Sequence, residues 1–426
     1  MTQTSWADST TPRHEGKLAP HAAVARLAAR REYRIGAGWF AAHAREITQQ
    51  QIEVSRIPAP LSGEGARAEW MRARFRECGL QGVQVDEAGN VFGIRPGRGE
   101  PVTDDGPRYV ALTAHLDTVF PAGTPLEFRT DGPRICGPGI SDNGSGLTAL
   151  LAIVEVLEAV DAANRRPILF VANVGEEGEG DLRGMRHIFA GERWRDAIEY
   201  TIVLDGGGTD AIINQGLGSR RFQATVRGPG GHSWSDFGSP NPVILLARAI
   251  DGFSHTRLPA EPKATFNIGV ISGGTAVNAI PESASMKVDL RSTSTAEVDR
   301  LEVALRDALE HAIASAKNGV AENLRNGAVS YELKLIGDRP AGELAPEARI
   351  LQIIQAVDTH LGINSRPQRA STDANIPLAA GREAIAIGAG GSGGGAHTLH
   401  EWYDPSGRDL GLRRILLAVL ALAETE

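Results

Sequence analysis

Tyr109-Val110-Ala111-Leu112-Thr113-Ala114-His115-Leu116-Asp117 is an apolar run that ends on an imidazole and a carboxylate. A short run that is continuously apolar, rather than alternating, predicts a strand buried on both faces. His115 and Asp117 are two apart, so both can point to one side of an extended segment. Ile168 to Val174 and Tyr200 to Leu204 repeat the pattern, and Gly144 to Val160 between them has the periodicity of a helix with an apolar face. Strands that alternate with helices predict βαβ units and a mixed, mostly parallel sheet flanked by helices. Ligands of open α/β sheets gather beyond the carboxyl ends of the strands, where His115 and Asp117 fall.

Outward from this segment, helical patterns occupy 37–55, 64–78, 346–361 and 410–422, with Pro346 suited to a first helical position. Ala384 to Ile387 reads as a further buried strand. Between Gly216 and Pro340 the rhythm changes. Strands are expected at 221–226, 265–271, 284–290 and 329–336, with helices at 242–253 and 295–316. That β-α-β-β-α-β order is the order of a ferredoxin-like α+β unit inserted into the first domain. The expected division is a tail and N-terminal helix over 1–36, a catalytic domain over 37–216 and 339–426, and an inserted domain over 217–338. Residues 1–19 are polar and without periodicity, which predicts disorder. Residues 20–34, rich in Ala and Arg, read as a surface helix, with a targeting helix as the lesser alternative.

The 426 residues are 42% hydrophobic and 23% charged, as in ordinary globular chains, and allow two or three domains. Asp plus Glu number 52 against 44 Lys plus Arg, a formal charge of −8. A nucleic-acid or anionic-membrane partner is not expected of an acidic chain with only 5% aromatics. The apolar run Ile415–Ala423 is too short to span a bilayer. Cys78 and Cys136 are the two cysteines and form no Cys-x-x-Cys motif. With no apolar export segment, a reduced, cytoplasmic protein is expected.

Chemistry-bearing residues recur at the ends of successive predicted strands. They are His115 and Asp117, Asp142-Asn143 at a glycine-rich turn, Glu176-Glu177, Asp205, and His397 with His400 and Glu401. One strand-end aspartate alone more often caps a turn. Several such clusters converging on one edge would repel unless a cation sat among them. Mixed imidazole and carboxylate ligands suit Zn, Mn or Co, and a shared carboxylate lets two ions lie close enough to act together on a water. The run Gly388-Ala389-Gly390-Gly391-Ser392-Gly393 satisfies a dinucleotide-binding pattern, but no helix start follows it, so it reads as a flexible loop that lets backbone approach the site.

As an ordered set, His115-Leu116-Asp117, Asp142-Asn143, Glu176-Glu177, Asp205 and His397 four residues before Glu401 resemble the M20 metallopeptidases. That group includes peptidase T, the dipeptidases, carboxypeptidase G2 and aminoacylase, and the resemblance extends over nearly all the chain after residue 37. It implies two divalent ions, zinc first, with cobalt or manganese as alternatives. His115 and Asp205 would hold one ion, Glu177 and His397 the other, and Asp142 would bridge them, with a cis bond after it. Asp117 would orient His115 through a hydrogen bond. Glu176 would be the general base that takes a proton from the activated water. His400 is the rival of His397, and Glu179 and Asp181 are read as turn and helix-start residues. From the inserted unit, which the resemblance makes a lid and dimerisation domain, His232 would hydrogen-bond the oxyanion, often from a partner subunit. Asn278 and Arg291 would hold a substrate carboxylate; a strand-end ion pair with Asp289 is the alternative for Arg291.

The implied activity is hydrolysis of an amide in small peptides, and the implied assembly is a homodimer through the lid. Asp at position 205 goes with the aminopeptidases and dipeptidases of the family, although Gly175 departs from the commoner Asp-Glu-Glu form. The alternatives are an N-acyl or N-carbamoyl amino-acid amidohydrolase and a metal-binding protein without catalysis.

Overall fold

The computed structural model describes residues 19–98, 106–318 and 329–424. The expected disordered tail falls almost wholly outside them. A nine-stranded sheet forms the frame. Its centre is parallel, with Ile168–Asn173, Tyr109–His115, Ile198–Leu204 and Glu383–Ile387 side by side in that order. Val91–Arg95 and Gln81–Val85 extend one edge antiparallel, and Ala211–Gly216 pairs antiparallel at the other. Because the central strands run one way, His115, Asn173 and Leu204 all end on the same edge, and the segments that follow them share one mouth.

The continuous apolar strands are buried as their composition requires. Leu112, Phe170 and Ile202 pack against Leu147, Leu150, Leu151 and Val154 of the helix Gly144–Ala159. Truncating one such leucine to alanine typically costs about 2–5 kcal/mol. That helix enters so close to its neighbours that a Cβ on Gly144 would lie 2.2 Å from the Ser55 hydroxyl. The closing helix Arg408–Ala423 is buried along most of its length. A bidentate pair between Arg414 and Asp358, at 2.6 and 2.7 Å, fixes it to the helix Arg349–Leu361. None of the helices among the described residues is long and apolar enough to cross a membrane.

Three local expectations are corrected. Pro346 does not open a helix: it sits in a turn, and the helix begins at Arg349, where the Glu383 carboxylate accepts the Ile350 N–H at 2.8 Å. The helical stretch 37–55 is two helices, Arg31–Ala42 and Ala44–Ser55, meeting at His43. The N-terminal helix Pro20–Ala28 is not a free surface element, because Val24 and Leu27 are buried in the same core as the closing helix. An apolar stripe on a short helix reads the same whether it meets solvent or a partner helix, and only the tertiary fold decides.

The elements described between Gly218 and Arg339 form a second unit where the insertion is expected. Its four-stranded antiparallel sheet has the order Ala264–Gly273, Ser283–Ser292, Gly218–Arg227, Ser330–Arg339. Helices Pro242–Ser254 and Thr295–Asn318 cover one face, with Leu246, Phe253, Leu301 and Leu305 buried against Phe222 and Leu290. This is the expected ferredoxin-like arrangement.

Candidate metal centre

At the carboxyl edge of the large sheet, side chains from separate strand ends converge. His115 is buried, and its Nδ1 lies 3.0 Å from the Asp117 carbonyl oxygen. Nδ1–H donates there, which leaves Nε2 facing inward as a ligand atom. Nε2 is 3.1 Å from Asp142 Oδ1 and 3.8 Å from Asp205 Oδ1. The other oxygen of Asp142 faces a second histidine: His397 Nε2 is 3.2 Å from Asp142 Oδ2 and 3.2 Å from Glu177 Oε1. Asp142 thus divides its two oxygens between two compartments, His115 with Asp205 and His397 with Glu177. Ligand atoms of His115, Asp142 and Glu177 lie within 4.8 Å of one another.

The backbone around these residues is pinned. Glu401, fully buried, accepts the N–H groups of Gly139, Ser141 and Asp142 at 2.7–2.8 Å. The Asp142–Asn143 peptide is cis, as the family pattern implied. Asn143 caps the helix behind it by accepting the Gly146 N–H at 3.0 Å and donates to the Leu204 carbonyl at 2.8 Å, so the Asp142 and Asp205 segments are tied together. Arg67, buried, donates to the Leu116 carbonyl at 2.7 Å.

Asp117 does more than orient His115. Its carboxylate is 3.6 Å from the His115 Nδ1 and accepts the N–H groups of Glu176 at 3.0 Å and Glu177 at 2.8 Å. The principal contact of the imidazole is therefore the Asp117 backbone, and the side chain fixes the glutamate pair.

The glycine run is a loop only over 388–391. Ser392–Gly394 is a strand of a small sheet with Trp402–Asp404, Arg134–Cys136 and Arg129–Asp131. This sheet brings His397 to Asp142, and a Cβ on Gly393 would lie 2.1 Å from the Ser141 hydroxyl. His397 itself holds a φ of 65°, a left-handed conformation that its position between two strands enforces. His400 is exposed and away from Asp142, lining a pocket with Phe128 and Leu399.

The electrostatics are those of an acid cluster around two imidazoles. Burial opposes charge on His115, but Asp117, Asp142 and Asp205 outweigh it and hold its proton well above the usual histidine range. A hydrogen bond to Asp142 pushes His397 up to about 9. Burial pushes Glu177 up to about 7 and Glu176 well above the ordinary carboxylate range. Asp373, buried at the edge of the cluster, is pushed up to about 7 by the same cause, and its Oδ1 has no hydrogen-bond partner among the described residues. Carboxylates crowded this closely in a dry site are relieved by cations, and neutral imidazoles with carboxylates are borderline donors, so the residues fit two divalent ions.

Among the described residues, His232, Asn278 and Arg291 make no hydrogen bond or ion pair with the residues of this centre. His232 and Asn278 are brought together by a short antiparallel pair, Gly231–His232 with Ala279–Ile280, and both are exposed. His232 Nδ1 accepts the Trp234 N–H at 3.2 Å, which places its proton on Nε2. Arg291 Nε donates to Asp289 at 2.6 Å, the strand-end ion pair that was its alternative. Glu179 and Asp181 are not mere turn residues: Glu179 pairs with Lys287 at 2.9 Å and Asp181 accepts the Asp338 N–H at 2.9 Å, both across to the inserted unit. The sequence reading also passed over Arg339, Asp373 and Asn375. The only local signal for Asp373 and Asn375 is the polar cluster Ser371, Thr372, Asp373 and Asn375, and Arg339 has none.

A parallel-centred sheet with histidines and carboxylates gathered around one aspartate at its carboxyl edge is the arrangement of a candidate metal site in a hydrolase. The chain belongs to Peptidase family M20/M25/M40, whose family description matches residues 111–421. A probable carboxypeptidase of Aspergillus clavatus is 32% identical over 203 residues, 43% of this chain and 44% of that protein. The chain spans about half the length of the curated relatives it matches first. Among solved structures, a tripeptidase of Staphylococcus aureus shares the fold with a TM-score of 0.72 at 20% identity, covering 89% of this chain and 98% of that one. A dinuclear metal-binding M20 peptidase of Bacillus subtilis has a TM-score of 0.64 at 13% identity, covering 91% of this chain and all, 100%, of its own.

Proposed function

We propose that this protein hydrolyses an amide bond in small peptides, as an aminopeptidase or a di- or tripeptidase, with two divalent ions, zinc first. The observation that carries the reading is the division of the Asp142 oxygens between the two histidine–carboxylate compartments. Bound there, the ions would supply Lewis acidity that lowers the pKa of water and offsets charge on the amide oxygen. His115, Asp205 and one Asp142 oxygen would hold one ion; His397, Glu177 and the other oxygen would hold its neighbour. Glu176 is the proton carrier. Its Oε1 is held 3.1 Å from Arg339, leaving Oε2 to take a proton from the attacking water and pass it to the leaving nitrogen. Burial raises its proton affinity above that of an ordinary carboxylate, the direction a general base needs.

His232 presents its Nε2–H outward, which suits a donor to the developing oxyanion of another chain. We place residues 217–338 as the lid of a homodimer. The strand Ala264–Gly273 is a sheet edge with Val270 and Ile271 exposed, beside the exposed Val243 and Ile244 of helix Pro242–Ser254. An unpaired apolar edge of that kind favours pairing with a second copy. The free Cys78 and Cys136 suit a reducing, cytoplasmic setting.

The second reading is a hydrolase that requires a free substrate carboxylate, a carboxypeptidase or N-acyl amino-acid amidohydrolase, and the name of the Aspergillus relative favours it. The test is metal-stripped protein reloaded with Zn, Mn or Co and offered di- and tripeptides with free or acetylated amines. Cleavage confined to free-amine peptides supports the first reading, and cleavage that survives acetylation of the amine but is lost when the carboxyl terminus is amidated supports the second. Turnover unchanged in Glu176→Ala would overturn the mechanism under either.

A further inference from the structure

The loop that carries Glu176 and Glu177 is wedged between the two parts of the chain. On its far side the inserted unit contacts it repeatedly. Arg221 Nη1 donates to the Gly178 carbonyl at 2.7 Å, Lys287 pairs with Glu179, and the Asp338 N–H donates to Asp181. The innermost contact is Arg339, the last residue of the strand that returns from the inserted unit. It is buried, as is Glu176. Its Nη1 reaches Glu176 Oε1 at 3.1 Å and the Ser371 hydroxyl at 3.2 Å, and its Nη2 donates to the Glu176 carbonyl. Both crossings into the inserted unit are gripped nearby, because Asn375 Nδ2 donates to the Leu217 carbonyl at 3.0 Å and the Pro340 carbonyl at 2.8 Å.

We infer that Arg339 is a positioning residue that holds the Glu176 carboxylate in register with the metal compartments and couples its placement to the seating of the inserted unit. The inference rests on Glu176 being the base. A guanidinium suits the task because its planar fork can grip a side-chain oxygen and a backbone carbonyl of one residue at once, which an ammonium cannot do in the same geometry. Arg339 is fixed to the inserted unit through the pairing of its strand with Gly218–Arg227, opposite Ser219. A rotation of that unit would therefore move the fork, and with it the base.

The experiment compares Arg339→Ala, Arg339→Lys and Arg220→Ala in the full-length, metal-loaded protein. Arg220 serves as the matched control: it pairs with Asp338 of the strand that carries Arg339, and with Asp299 and Glu302 of the helix Thr295–Asn318, but has no described contact with Glu176. Arg339→Ala is expected to lower kcat about 100-fold with KM changed far less, since a misplaced catalytic group costs on that order. Metal content should be retained, and added guanidinium ion should restore part of kcat, whereas Arg339→Lys should remain impaired and Arg220→Ala should stay near the wild type. Hydrogen exchange of the peptide over 174–182 should quicken in Arg339→Ala only. A kcat near that of the wild type in Arg339→Ala would overturn the inference. So would a loss of kcat that guanidinium does not touch, accompanied by loss of metal and a melting temperature lowered as much as in Arg220→Ala. If the wild type cleaves nothing, the functional reading fails by itself, and the exchange of the 174–182 peptide still decides whether Arg339 holds the loop.

Discussion

His115 and His232 are both histidines at strand ends, yet their surroundings are opposite. His115 is buried, its Nδ1 is fixed by backbone, and two carboxylates face its Nε2. His232 is exposed on a two-residue strand, and its fixed nitrogen is the one that faces its own loop. The first belongs to a centre that one chain completes. The second offers a donor with nothing in its own chain to receive it among the described contacts. The contrast teaches that the metal half of the proposed site is assembled within one chain, whereas the oxyanion half, on the reading proposed above, needs a second copy.

The largest effect expected on the buried side is from Glu176→Ala. Steady-state kinetics should show kcat lowered about 1,000-fold with metal content retained, because the residue carries the proton rather than a ligand bond. On the exposed side, His232→Ala should lower kcat about 100-fold, also with metal retained. Mixing the two variants sharpens the comparison. If His232 serves the partner's centre, hybrids of Glu176→Ala and His232→Ala contain one intact site and regain activity. Hybrids that stay inactive would return His232 to its own chain or remove it from the mechanism.

Glu401→Ala should act next most strongly, and on metal rather than on turnover. It removes the acceptor of three N–H groups around Asp142, and support of this kind typically accounts for about 10–100-fold in metal affinity. Titration with a chelator would measure it. Arg291→Ala should do least. Its pair with Asp289 is partly exposed, and such pairs contribute about 0–1 kcal/mol, so the melting temperature should scarcely move. A large rise in KM for a substrate with a free carboxylate would instead restore Arg291 as an anchor.

The same contrast explains what the sequence could reveal. The buried half was legible because each cluster is local: His115 and Asp117 close one strand, Asp205 another, and Glu401 marks His397 by spacing. Continuous apolar runs identified the central strands, and the change of rhythm after Gly216 identified the inserted unit. What escaped depends on distant parts meeting. Arg339 lies 163 residues from Glu176 along the chain, and Asp373 meets Asn173 across 200. The small sheet that delivers His397 is built of three-residue strands, too short for any periodicity to register. Its glycines read as flexibility, but Ser141 leaves no room for a side chain at Gly393 and the Trp402 ring leaves none at Gly394. Asp117 does lie beside His115, 3.6 Å from its Nδ1, but its hold on the N–H groups of Glu176 and Glu177 was not legible, since those residues are about 60 positions away along the chain.

The central claim is that Asp142 serves two compartments at once. Metal content by mass spectrometry of the purified protein, beside His115→Ala and His397→Ala, tests it most directly. The account predicts about two ions per chain in the wild type and about one in each variant, because each histidine belongs to a different compartment. A wild type that binds a single ion, lost equally with either histidine, would contradict it.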